Sequence, residues 1–207
     1  MFKSYLMVFI LFSFTAYGNV FKVGYECAIK GDFECALAVW EPLAKKGDAS
    51  SQYSLGVMFD NGNGVKTDHI KAMFWYEKSA AQGVLNAQYN LGNYYFKGEY
   101  VEKNYIEARH WFLKAAEQGD AEAELKLGII YVDGLGVPKD NLKAIQWYKS
   151  SAKKGNASAK YNIGAMYENG DGVSQNIETA KVHYIQACES NIKPACDSLK
   201  RLSNIKE

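Results

Sequence analysis

Read as apolar against polar positions, the chain repeats itself. Glycines recur at Gly47, Gly83, Gly119 and Gly155, 36 residues apart. Leu55-Gly56, Leu91-Gly92, Leu127-Gly128 and Ile163-Gly164 keep the same step, as do Ala72, Ala108, Ala144 and Ala180. Trp75, Trp111 and Trp147 share a column whose fourth place is His183, and Tyr76, Phe112, Tyr148 and Tyr184 form the next. So many columns agreeing at one period identify a repeat array.

Each unit predicts two helices. Ser51, Leu55, Met58 and Phe59 fall on one helical face, and Asn61-Gly62-Asn63-Gly64-Val65 stops that helix. The second helix opens at Asp68, a position filled by Asn104, Asp140 and Asn176 in later units, where a short side-chain oxygen can cap the first turn. Ala72, Trp75, Tyr76 and Ala80 line its inner face, and Gly83 ends it. Asp32, Ala36 and Trp40 give the second helix of an earlier hairpin, with Gly24 on the first. Ala195 and Leu199 continue the first-helix columns, while Lys200, Lys206 and Glu207 make the polar end expected of a terminal cap. The units read as a hairpin at 19–46, repeats at 47–82, 83–118, 119–154 and 155–190, and a cap at 191–207. This is an all-α chain of about 11 helices.

Ala157-x-Ala159-x-Tyr161-x-Ile163-Gly164-x-x-Tyr167, followed by Gly170-x-Gly172-Val173, Ala180 and Tyr184, resembles a Sel1-like repeat, a relative of the tetratricopeptide repeat. The N-terminal hairpin resembles the tetratricopeptide version more closely. The resemblance covers roughly residues 20–202. It implies a right-handed α-solenoid that acts mainly as a binding scaffold. The second unit departs from the pattern at Gly98-Glu99-Tyr100-Val101, which has lost one glycine, so its loop shape is open.

Composition narrows the reading. Hydrophobic residues make up 48% and charged residues 23%, the balance of a globular domain rather than a disordered one. The net charge is +1, and Arg109 and Arg201 are the only arginines, which argues against nucleic acid. Lys3, the apolar run Leu6–Phe14, then Ala16 and Gly18 have the form of an export signal over 1–18. The run is too short for a stable span, which needs about 20 apolar residues; an uncleaved anchor is the alternative. A cut there predicts a periplasmic or secreted product with no stable membrane insertion.

Cys27, Cys35, Cys188 and Cys196 remain. Each pair flanks a turn between antiparallel helices, and cross-pairing would have to join opposite ends of the array, beyond the roughly 7 Å limit between Cα atoms. Cys27–Cys35 and Cys188–Cys196 are therefore the expected disulfides, in keeping with an oxidising compartment. Four free thiols in a reducing one are the competing reading. A zinc site lacks further ligands at suitable spacing.

Candidate chemistry is thin. The Gly-x-Gly loops recur with the fold and lack the strand–loop–helix context of a phosphate cradle. Cysteine-rich relatives include members described as β-lactam-binding or weakly hydrolysing. Ser-x-x-Lys occurs at Ser150/Lys153, Ser151/Lys154, Ser190/Lys193 and Ser203/Lys206, yet the partner motifs Ser-Asp-Asn and Lys-Thr-Gly are missing. Glu107 and His110 form Glu-x-x-His once, where a carboxylate-bridged metal pair needs it twice. His69 and His183 read as cap or packing residues. The Asn156-Ala157-Ser158 sequon reads as idle. The sequence predicts no catalytic residue, cofactor or metal.

Columns that change between units are free to recognise a partner. On the first helices these are Ser50/Asn86/Glu122/Ser158, Ser54/Asn90/Lys126/Asn162, Val57/Asn93/Ile129/Ala165 and Asp60/Phe96/Val132/Glu168, beside the aromatic column Tyr53/Tyr89/Leu125/Tyr161. Phe96, Leu125, Ile129 and Val132, flanked by Tyr89, Asn93 and Glu122, form the expected docking patch; solenoid curvature burying part of it is the competing reading. The leading function is an exported, non-enzymatic scaffold holding another protein on a concave face, in a narrower version an immunity-type inhibitor. A β-lactam-binding protein and a cell-wall or polysaccharide binder are the alternatives.

Overall fold

Eleven α-helices and no strand occupy the described residues, 20–203, of the computed structural model. The expected export signal at 1–18, and Lys206 and Glu207 of the cap, lie outside them. Helix α1 covers 20–29. It is followed by α2 (Phe33–Lys45), α3 (Ala49–Asn61), α4 (His69–Ala81), α5 (Leu85–Lys97) and α6 (Tyr105–Glu117). Then come α7 (Ala121–Asp133), α8 (Asn141–Lys153), α9 (Ala157–Asn169), α10 (Ile177–Cys188) and α11 (Lys193–Ser203). None is long and apolar enough to cross a membrane.

Side-chain oxygens start most of these helices. Asp32, Asp68, Asn104, Asp140 and Asn176 each accept from a backbone N–H in the first turn of a second helix. Asp48, Asp120 and Asn156 do the same for first helices. Val84 stands in that column with the same extended backbone and makes no such bond. First helices end on left-handed glycines, as at Gly62 with φ 72°. The turn after each second helix also needs a left-handed residue, Gly83 at φ 90° for one, and Asn191 at φ 64° takes this place in the last unit. Asn tolerates that region better than other side chains.

The contacts divide the chain into two units, one running to Tyr94 with Gly98–Glu102, the other made of Tyr95–Lys97 and the chain from Lys103 onward. In the first, Trp40, Leu55 and Met58 pack with Ala36 and Ala44. Phe21 stacks on Trp40 at 5.8 Å, and the Trp40 indole N–H donates to the Phe21 carbonyl at 3.2 Å. The Leu-Gly column is explained by close approach, since a Cβ on Gly56 would lie 2.5 Å from the Tyr76 ring. Buried polar groups lock α4 to α3: Ser79 donates to the Ala49 carbonyl at 2.8 Å, and the Gln82 amide to Gln52 Oε1 at 2.7 Å. Gln52 in turn donates to the Ala44 carbonyl at 3.0 Å.

The second unit repeats this logic with different chemistry. Leu125, Tyr131, Ile145, Tyr148, Ile163 and Met166 form one core, and Ala180, Tyr184, Ala187, Ala195 and Leu202 another. A Cβ on Gly164 would lie 2.7 Å from the Tyr184 ring. Ser151 donates to the Ala121 carbonyl at 2.6 Å. The Gln–Gln contact becomes an ion pair, Lys154 to Glu124 at 2.9 Å. Each fully buried Leu or Ile contributes roughly 1.5–3 kcal/mol by leaving water. Cys27 and Cys35 are bonded with Cα atoms 5.8 Å apart, and Cys188 and Cys196 with theirs 4.9 Å apart.

Candidate partner-binding face

In the first unit, Tyr53, Val57, Tyr89 and Asn93 are half-buried on α3 and α5. Tyr53 leans on Tyr76, centroids 5.8 Å apart. Next to them lies a polar cluster that sequence reading did not assemble. Asp60 Oδ1 accepts from His69 Nδ1 at 2.8 Å and from the Tyr94 hydroxyl, and Oδ2 accepts from the Tyr76 hydroxyl at 3.2 Å. Tyr100 covers the His69 ring at 3.7 Å. Gly64, Gly136 and Gly172 hold the position of Tyr100 in the other units, and a Cβ there would crowd Phe33, Tyr105 and Asn141. The loop that lost a glycine thus spends its tyrosine as a lid on the first residue of α4. Burial, reinforced by Asp60, pushes the Tyr76 and Tyr94 hydroxyls well above the usual phenol range.

In the second unit the residues of the expected patch divide between core and half-buried surface. Leu125 is 7% exposed and belongs to the core. It packs in one cluster with Tyr148 and Ile163, so little of its side chain is open to a partner. Phe96 is half-buried against Tyr105 at 5.5 Å and Phe112 at 6.1 Å, with the Lys126 ammonium 5.2 Å from its ring centre. Ile129 and Val132 lean on the same core and keep part of their surface in water. Glu122 is exposed and accepts from the Asn156 amide at 2.7 Å. Tyr161 tilts against Tyr184, centroids 5.6 Å apart.

Of the Ser-x-x-Lys matches, Ser150, Ser151 and Lys154 serve the fold. Ser150 donates to Glu124 at 2.6 Å, Ser151 holds a backbone carbonyl, and Lys154 pairs with Glu124. Glu124 is buried in a column where Gln52 and Gln88 stand, the sequence signal that would have found this pair. At the C-terminal end, Arg201 grips Glu168 with both terminal nitrogens, at 2.6 and 2.9 Å, and Tyr184 donates to it at 2.7 Å. The Arg201 guanidinium holds the Glu168 carboxyl below its usual value. No group of three His, Cys, Asp or Glu among the described residues could hold a metal ion.

Comparison with known proteins follows this geometry closely. The Sel1 repeat family model matches residues 49–84, 85–120, 121–156 and 157–192. A Sel1 repeat protein from Oxalobacter formigenes is 36% identical with a TM-score of 0.79, over 85% of this chain and 72% of that one. A protective antigen of uropathogenic Escherichia coli displaying an SLR fold is 32% identical with a TM-score of 0.83; the match covers 92% of this chain and 43% of the antigen. An immunity protein of Pseudomonas aeruginosa is 19% identical with a TM-score of 0.50, over 84% of this chain and 66% of that one, which shows a shared fold alone. A comparison with curated proteins gave no match.

Proposed function

We propose, from the premise that the chain belongs to the Sel1 repeat family, that it is an exported, non-enzymatic scaffold holding a partner protein on the face of its first helices. Sel1 repeats generally mediate contacts between proteins. One observation carries the reading for this chain. The columns Ser54/Asn90/Lys126/Asn162 and Val57/Asn93/Ile129/Ala165 are half-exposed in every unit and differ in chemistry from unit to unit. Most columns facing inward stay small or apolar, the polar exception being Gln52, Gln88 and Glu124. Stacking therefore explains the second set and leaves the first set for recognition. Tyr53, Tyr89 and Tyr161 add the large amphipathic rings that anchor interfaces. Two disulfides support an oxidising compartment, and a toxic effector held in the envelope is the narrower form of the partner.

The test is capture of a partner from an envelope extract. Ile129→Asp and Lys126→Glu are expected to weaken capture about tenfold or more, the scale of an interface hot spot, with helical content unchanged by circular dichroism. Lys126→Glu alters charge at a half-exposed position, so it separates lost binding from lost folding. Full capture by both variants refutes the face.

A further inference from the structure

The residues between neighbouring second helices differ in charge between the two units. In the first, a cavity of about 360 Å³ is lined by Leu37, Glu41, Leu55, Phe59, Phe74 and Trp75, with Lys71 at its edge. Three repeats later, 108 residues along the chain, Glu41 is replaced by Lys149, Gln52 by Lys160 and Trp75 by His183. All three changes add a basic group or remove an acid.

The second unit brings two of these groups, Lys149 and His183, against Tyr167. The His183 ring lies parallel to that of Tyr167, centroids 6.0 Å apart and planes 6° from coplanar. Lys149, on α8, brings Nζ within 3.5 Å of the Tyr167 hydroxyl and 5.7 Å of its ring centre. Lys160, Ile163 and Tyr167 follow one another down a single face of α9 at helical spacing. Among the described residues neither lysine forms an ion pair. His183 Nδ1 is buried with no hydrogen-bond partner. Burial, then the fields of Lys149 and Lys160, hold this imidazole below its ordinary value.

Like charges gathered without a counter-charge are unfavourable. They persist at low cost where an anion occupies the space between them. We propose that Lys149, Lys160, Tyr167 and His183 form a binding site for a small oxyanion, a carboxylate or phosphate group. Lys149 and Lys160 supply charge, and Tyr167, whose hydroxyl oxygen already accepts from Lys149, keeps its O–H to donate. His183 supplies a ring nitrogen beside them. The site stands whether or not the first-helix face holds a partner.

The experiment uses the whole oxidised chain with ¹⁵N-labelled histidine. Inorganic phosphate and acetyl-glutamate amide are titrated at fixed ionic strength against chloride while the His183 ring signals are followed. Saturable shifts are expected. Lys149→Gln and Lys160→Gln should each weaken binding about fivefold, the scale of one exposed charge contact, and Glu41→Gln in the first unit should leave it unchanged. His183→Trp, which restores the column residue, should abolish the phosphate-dependent rise in melting temperature while helical content persists. Tighter binding of phosphate marks a free ion as the ligand, and tighter binding of the glutamate amide marks an acidic side chain; either supports the site. Shifts that track chloride equally, or lysine variants that bind like the parent, overturn it.

Discussion

Asp60 in the first unit and Glu168 in the second occupy the same column, and each accepts from the tyrosine of the second helix in its own repeat, Tyr76 or Tyr184. The repeat thus supplies a carboxylate–phenol pair twice, once from aspartate and once from glutamate. What completes it differs. Asp60 is closed by neutral-capable donors, His69 and the Tyr94 hydroxyl, under the Tyr100 ring. Glu168 is closed by the guanidinium fork of Arg201 on the terminal helix. Between them, the column holds Phe96, which meets Phe112 ring to ring, and Val132. An interior repeat can satisfy a carboxylate with donors from the next repeat, whereas the last one has no next repeat and relies on a charge from its cap.

The largest test of that contrast is removal of each carboxylate. Asp60→Ala strips three donors at once and should cost about 3 kcal/mol in urea unfolding, charged hydrogen bonds being worth roughly 1.5–3 kcal/mol each before relaxation. Glu168→Ala should cost less, because the exposed Arg201 side chain can turn to water; equal losses would break the comparison. Next, replacing Cys188 and Cys196 by Ser removes an eight-residue closure worth about 2.5 kcal/mol. Combined with Glu168→Ala it should exceed the sum of the two, since both ties hold α11 in place. Strict additivity would show that the fork and the disulfide act separately.

A smaller gain is expected from Val84→Asp, which gives α5 the cap its sister helices possess and should stabilise the first unit by about 1 kcal/mol. The smallest effect is acid titration of the second unit. Glu168 folds with its carboxyl below the ordinary 4.5, so its contribution is complete above that pH and fades as pH falls through the depressed value. His183 folds with its imidazole below the ordinary 6.5, so the unfolded chain takes up that proton first and stability declines as pH drops below 6.5. Two steps in the urea midpoint are expected, the upper one absent in His183→Trp and the lower one absent in Glu168→Gln.

The period alone carried the helix pairs, because Ala, Gly and aromatic columns at one spacing admit a single stacking solution. The caps at Asp68, Asn104, Asp140 and Asn176 were legible for the same reason. The first-helix caps at Asp48, Asp120 and Asn156 were not, since Val84 interrupts the column. The docking patch was read from variability, and variability does not measure exposure: Leu125 changed its residue type and stayed in the core. The Asp60 cluster escaped because it joins residues from two repeats and a loop whose shape the pattern left open. Tyr100 in a glycine column was the visible clue.

The part-buried contacts Gln52 to Gln82 and Glu124 to Lys154 stand at equivalent places in their repeats but speak different chemical languages. A shuffled array that set Glu124 opposite a glutamine would leave its carboxylate an amide donor but no counter-charge. The order of the modules is therefore written into the interior, and grafting one of them elsewhere would require moving its counterpart with it.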